Sequence, residues 1–159
     1  MITDPTLIRI GEVAQLGHQG DHEAARHRFA GIWNEIGGER GDPLHRCTLA
    51  HVMADVQVDV HDELRWDRRA LAAAELVTDA RAQQAGMTLP VAALYPSLYL
   101  NLSECCRKLG DLARAREHLQ QARAMIHVLG DDEYGRLIRD GLQKVAERLT
   151  EAGRRRPRP

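Results

Sequence analysis

The chain has few aromatic residues: one phenylalanine, two tryptophans and three tyrosines among 159 positions. A core for a chain of this length must therefore be built from Leu, Ala, Val and Ile, and small side chains favour closely approaching helices. Lysine is nearly missing as well, with only Lys108 and Lys144. No run of about 18 apolar residues occurs, and no basic stretch followed by an apolar one opens the chain, so neither a membrane span nor a secretory leader is expected. Three cysteines, Cys47, Cys105 and Cys106, form no spaced framework and argue against a disulfide-stapled secreted domain. These absences point to a cytoplasmic protein. Cys47 and Cys106 read as small buried apolar residues and Cys105 as a partly exposed thiol without a role. Phosphate-cradling glycine loops, Gly-x-Ser-x-Gly and Cys-x-x-Cys are all absent, so no enzyme motif is expected and no cofactor is implied.

Charge is balanced at −1 overall, but its distribution is uneven. Residues 1–60 carry nine acidic and five basic side chains, and the terminal RRRPRP carries Arg154, Arg155, Arg156 and Arg158. Taking those four away from a net −1 leaves −5, which is unfavourable for tracking phosphates, so nucleic-acid binding by the body is not expected. The tail itself, 152–159, is expected to be disordered.

What is present is helical periodicity. Leu98, Leu102, Cys106 and Leu109 share one helical face, and Leu112, Ala115, Leu119, Ala122 and Ile126 share another. Between them Gly110 can close the first helix and Asp111 can cap the second. Upstream, Asp4-Pro5 and Asp42-Pro43 place a capping carboxylate before a proline suited to the first helical position. Gly20-Asp21 is a second Gly-Asp turn, followed by Ala25, Phe29, Ile32, Trp33 and Ile36. Downstream of Pro43 come Leu44, Cys47, His51, Val52 and Ala54. A helix with Leu64, Trp66, Ala70, Leu71, Ala73, Ala74 and Val77 is expected to continue to Gly86, about 25 residues and about 37 Å. Asp131, Asp132 and Glu133 crowd the start of a last helix, whose stripe is Tyr134, Leu137, Ile138, Leu142, Val145 and Leu149.

The stretch 96–129 resembles a tetratricopeptide repeat. With Pro96 as its first position, Tyr99 stands at the large aromatic, Leu102 at the leucine, Ser103 at the small residue and Gly110 at the turn glycine. Ala115, Leu119 and Ala122 follow in the second helix, while Cys106 replaces an aromatic and His127 stands where a proline is expected. Weaker copies align on Gly20-Asp21 and on Glu63 to Leu71, where Ala70-Leu71 matches the Ala-Leu pair. Their anchors Ala25, Glu63 and Ala115 are 38 and 52 residues apart rather than about 34, so the copies are separated by insertions. The resemblance implies an all-α fold: a right-handed superhelix of three hairpins at roughly 5–37, 43–85 and 90–129 with a capping helix at 131–151, together one domain spanning 4–151.

It also implies a concave groove lined by the first helix of each hairpin. Asn101 stands at the repeat position where peptide-binding relatives carry an asparagine that bonds the ligand backbone, and an amide offers both a donor and an acceptor for that purpose. Glu104, Arg107 and Lys108 follow on the same helix, and Thr48, His51 and Asp55 take the corresponding places on the second hairpin. The lysine–arginine clamp of some relatives is not reproduced. The mixed, rather acidic lining favours a protein or peptide partner with basic groups. The leading expectation is thus a non-enzymatic adaptor, with self-association through an end helix as a further possibility. The alternative is a small-molecule or metal-binding protein, catalytic in one version, using His51, Asp55 and Asp59, which recur every four residues and could project from one helical face. His18, His22 and His27 are spaced too irregularly to read as a site, and His22 and His27 are expected on the solvent side.

Overall fold

In the computed structural model, which describes residues 1–155, the chain is all-helical, with eight α-helices and no strand among the described residues. Arg156, Pro157, Arg158 and Pro159, the end of the expected tail, lie outside the described residues. The chain divides into two compact units, Met1–Val91 and a second that begins at Ala92. No helix among the described residues is long and apolar enough to cross a membrane.

The first unit contains α1 (Pro5–His18), α2 (His22–Glu35), α3 (Pro43–Asp55), α4 (Val60–Ala74) and the short α5 (Asp79–Gln84). Each start is fixed by a side chain that accepts orphan backbone N–H groups: Asp4 for α1, Asp21 for α2, Asp42 for α3, Asp59 for α4 and Thr78 for α5. Gly20 and Gly37, with φ of +92° and +94°, make the turns that follow α1 and α2. The turn after α3 has no glycine and no left-handed residue, and other groups take up its free carbonyls. Gln57 Nε2 donates to the Met53 carbonyl at 3.0 Å, and Arg26 Nη1 reaches from α2 to the Val56 carbonyl at 2.6 Å.

Leu7, Ile10 and Val13 of α1, Ala25, Phe29 and Ile32 of α2, and Leu44, Cys47, Ala50 and Met53 of α3 are buried together with Leu64, Ala70 and Ala73 of α4. Burial of such side chains, worth ~1.5–3 kcal/mol for each larger one, is the main source of the unit's stability. At the rim Trp33 and Trp66 meet edge to face at 5.1 Å, and the Arg69 guanidinium lies 4.4 Å over the Trp66 ring, tying α2 to α4.

The long helix expected up to Gly86 is interrupted. It ends at Ala74, Val77 turns into the core, and Thr78 adopts extended backbone (φ −94°, ψ 154°) so that its hydroxyl can cap α5. Consecutive β-branched residues favour that extended geometry, and the apolar periodicity carries on through the break because Val77 is buried on both accounts. The break lets α5 reach the helix starts. Arg81 Nη2 donates to Asp4 at 2.7 Å and Arg81 Nε to Asp42 at 3.0 Å, while His45 Nε2 donates to Asp4 at 2.9 Å. The Thr3 N–H also bonds the Ala85 carbonyl at 2.9 Å.

The second unit contains α6 (Tyr95–Lys108), α7 (Leu112–Met125) and α8 (Glu133–Arg155). Gly110, at φ +82°, turns the chain and Asp111 caps α7 by accepting the Arg114 N–H. Ser103, Ala115 and Ala122 are all fully buried, and Ser103 Oγ donates to the Ala115 carbonyl at 2.6 Å, so the small residues let α6 and α7 approach closely. α8 covers both, with Ile138, Leu142, Val145 and Leu149 buried and Gly141 set against Leu100. Three expectations are corrected here. Tyr134 and Leu137 are 44% and 65% exposed and do not belong to the buried stripe. Residues 152–155, expected in the disordered tail, continue the helix to Arg155, where Arg154 and Arg155 complement the negative helix end. Cys105, expected to be partly exposed, is buried like Cys47 and Cys106.

Candidate functional site

On α6 the residues expected to meet a peptide lie as a polar strip beside a buried face. Asn101, Glu104 and Arg107 are half-buried and Lys108 is exposed. Spacings of three and four bring Asn101, Glu104 and Lys108 onto one side of the helix. Arg107 grips Glu104 with two bonds, Nε to Oε2 at 2.9 Å and Nη2 to Oε1 at 2.8 Å. Arg148 of α8 adds a third, Nη1 to Glu104 Oε1 at 3.1 Å. Burial pulls the Glu104 carboxyl up, but Arg107, with the charges of Arg148 and Lys108, outweighs it and holds the carboxyl below the usual range. Glu104 is therefore ionised and already neutralised.

Arg148 was not among the expected site residues. Its signal was in the sequence: the α8 stripe at Leu142, Val145 and Leu149 puts residue 148 at the edge of the covering face. With Arg107 and Arg155 it lines a cleft of about 330 Å³ with Gly110, Leu112 and Glu151. Tyr95 and Tyr99 of α6 meet at a tilt with centroids 5.9 Å apart, and Tyr99 stacks on His118 of α7 at 6.0 Å. His118 Nδ1–H donates to Gln121 Oε1 at 2.7 Å, which fixes the last ring of that stack.

No protein-family model, curated protein or solved structure matches the chain. The function must therefore be argued from the side chains.

In the first unit Thr48, His51 and Asp55 share one face of α3, with Thr48 and His51 half-buried and Asp55 exposed. Desolvation pushes the His51 imidazole below its ordinary value, with the Asp55 charge acting in the opposite direction. Asp59 is not part of that row. α3 ends at Asp55, and Asp59 begins the next helix, its Oδ1 accepting the N–H groups of His61 at 2.8 Å and Asp62 at 3.2 Å. The four-residue spacing that suggested a single face runs across a turn, so His51, Asp55 and Asp59 do not form a helical triad.

Asp55 instead lines a small cavity of about 80 Å³ with His18 and His22, over a floor of Ala14, Gly17, Phe29, Val52 and Val56. The Cys47 thiol is no nucleophile in this unit, because burial pushes its pKa up to about 12.

Proposed function

We propose that the chain is a non-enzymatic adaptor built of tetratricopeptide-like hairpins, and that α6 of the second unit binds an extended peptide segment through Asn101. The observation that supports this most is the α6–α7 hairpin. Its Ser103, Ala115 and Ala122 are buried, as expected of the small positions in the resemblance, and in the same register Asn101, which is half-buried, is the residue expected to bond the ligand backbone. Lys108 and the Glu104–Arg107 pair flank it along the helix. Thr48, His51 and Asp55 are the corresponding polar positions of α3.

The ligand's charge needs revising from the residues themselves. A basic partner was expected because Glu104 and Asp55 are acidic, yet Glu104 is held by Arg107 and Arg148. On α6 the ligand must leave that pair intact, so the strip itself carries no preference for basic side chains. The test is panning of a displayed random-peptide library against the purified chain. A shared sequence motif should emerge from wild type, vanish with Asn101→Ala and survive Arg116→Ala, an exposed position on α7. If no motif emerges, or the same motif binds Asn101→Ala equally well, peptide recognition by α6 is wrong.

A further inference from the structure

In the second unit, two large apolar side chains remain in solvent among the described residues, Tyr134 and Leu137 of α8. They stand one turn apart, and spacings of three and four carry the same flank of the helix on to Gly141, Lys144 and Arg148. We infer that this flank reads the side chains of the bound peptide: Tyr134 and Leu137 take a bulky apolar residue, and Lys144 and Arg148 take an acidic one three to five positions away. The inference rests on the reading of α6 as the peptide-binding helix, and it names the ligand chemistry that α6 alone leaves open.

The flank lies beside the α6 strip. An added Cβ on Gly141 would come within 2.8 Å of Leu100 Cδ2, so the glycine lets α8 seat directly against α6 at the residue before Asn101. Arg148 Nη1 reaches Glu104, one turn after Asn101, at 3.1 Å. Asn101 is thus bracketed by two contacts to this flank, and a backbone bonded to its amide passes beside α8. At a rise of ~1.5 Å per residue, Leu137 stands about 10 Å from Lys144 and about 16 Å from Arg148 along the helix axis. An extended peptide covers ~3.3 Å per residue, so those separations correspond to about three and about five residues of ligand.

Packing and helix ends do not account for this flank. Ile138, Leu142, Val145 and Leu149 supply the buried face of α8, and Tyr134 and Leu137 stand outside it. Neighbouring exposed apolar residues edged by charge are characteristic of an interaction surface. Compensation of the helix dipole reaches only the last turn, and Lys144 and Arg148 precede Arg155 by eleven and seven residues. Lys144 is exposed, and no ion pair joins it to Asp140 or Glu147, the acids one turn away, while Arg148 spends a single N–H on Glu104. Beyond Arg148 the flank opens into the cleft of about 330 Å³, to which Arg107 and Arg155 add positive charge and whose lining acid, Glu151, is held by Arg155. Apolar and basic surface are therefore separated along one line, which suits a segment with the complementary order.

The test pans one displayed random-peptide library on the wild-type chain and on variants of α8. Wild type should select a bulky apolar residue with Asp or Glu three to five positions from it. Lys144→Glu should exchange that acid for Lys or Arg. Leu137→Ala should lose the apolar preference and weaken binding of a synthetic copy of the wild-type peptide by about tenfold in fluorescence anisotropy. Arg123→Glu, the same charge change at an exposed position of α7, should leave the motif as it is. All three substituted residues are exposed, so the Tm should hardly move. A motif without the apolar and acidic pair, or one unchanged in Leu137→Ala or in Lys144→Glu, overturns the inference, and if that motif vanishes with Asn101→Ala the adaptor reading still stands. A paired motif that survives Asn101→Ala refutes the role of Asn101 and not that of α8, and no motif at all refutes both.

Discussion

Arg81→Met removes the side chain that reaches both capping carboxylates, Asp4 of α1 and Asp42 of α3, while keeping an unbranched stem. In the folded chain its guanidinium makes two charge-assisted bonds, at 2.7 Å to Asp4 and 3.0 Å to Asp42, and it is only 22% exposed. Each such bond is worth ~1.5–3 kcal/mol when well formed, and the partial exposure of Asp42 places its share at the low end. Asp4 does not become an orphan, because His45 stays at 2.9 Å and the Thr6 and Leu7 N–H groups still reach it. The expected loss at pH 7 is therefore about 2–3 kcal/mol rather than the 3–5 of a broken buried pair. Burial raises both carboxyls, but the Arg81 bonds, with those of His45 and the backbone, overcome it and leave each below its unfolded value. Groups depressed on folding stabilise above the unfolded pKa of about 3.9, and that stabilisation is lost as pH falls through the folded value. The gap between wild type and Arg81→Met should thus be full above pH 5 and shrink steadily under acid below about pH 4. Urea unfolding followed by tryptophan fluorescence measures it, since Trp33 and Trp66 are the chain's two tryptophans and both report on the first unit. A gap under ~0.5 kcal/mol at pH 7, or one that does not change between pH 6 and pH 3, would refute the role given to Arg81.

Three other substitutions separate packing, turn and capping effects. Ser103→Leu forces a larger side chain into a fully buried contact and breaks the 2.6 Å bond to Ala115, so the second unit should lose ~2–3 kcal/mol, seen as faster hydrogen exchange in α6 and α7. Gly110→Ala meets nothing within 4 Å, so its cost of ~1–2 kcal/mol comes from the backbone at φ +82° alone, and Gly110→Asn should recover much of the lost Tm. Asp59→Ala removes two bonds at the start of α4 and should cost ~1 kcal/mol by urea unfolding.

Helix starts were the most readable part of the sequence. An aspartate before Pro5, before Pro43 and after Gly20 or Gly110 announces its helix through local chemistry, and each of these caps forms. The small residues Ser103, Ala115 and Ala122 were readable for the same reason, because close helix packing excludes larger ones at those places. Breaks and long-range pairs were not. Nothing local distinguishes Val77-Thr78 from the helical run around it, since Val77 serves the core either way. Arg81 finds Asp42 and Asp4 at separations of 39 and 77 residues, which no periodicity encodes. The electrostatics of Glu104 on α6 depend on Arg148, a partner 44 residues away, which helical spacing does not reveal.

The aspartates show why a spacing argument failed where a chemical one works. Asp4, Asp21, Asp42, Asp59, Asp111 and Asp132 each accept backbone N–H groups at or beside a helix start, so most of these carboxylates are explained by the fold before any ligand is considered. Counting Asp59 with His51 and Asp55 mixed a cap into a site. Once caps are set apart, Asp55 stands at the C-terminal end of α3, on the same cavity as His18 and His22. Helix-end position thus sorts acidic residues better than their intervals do: a carboxylate that accepts the free N–H groups of a helix start is structural by default.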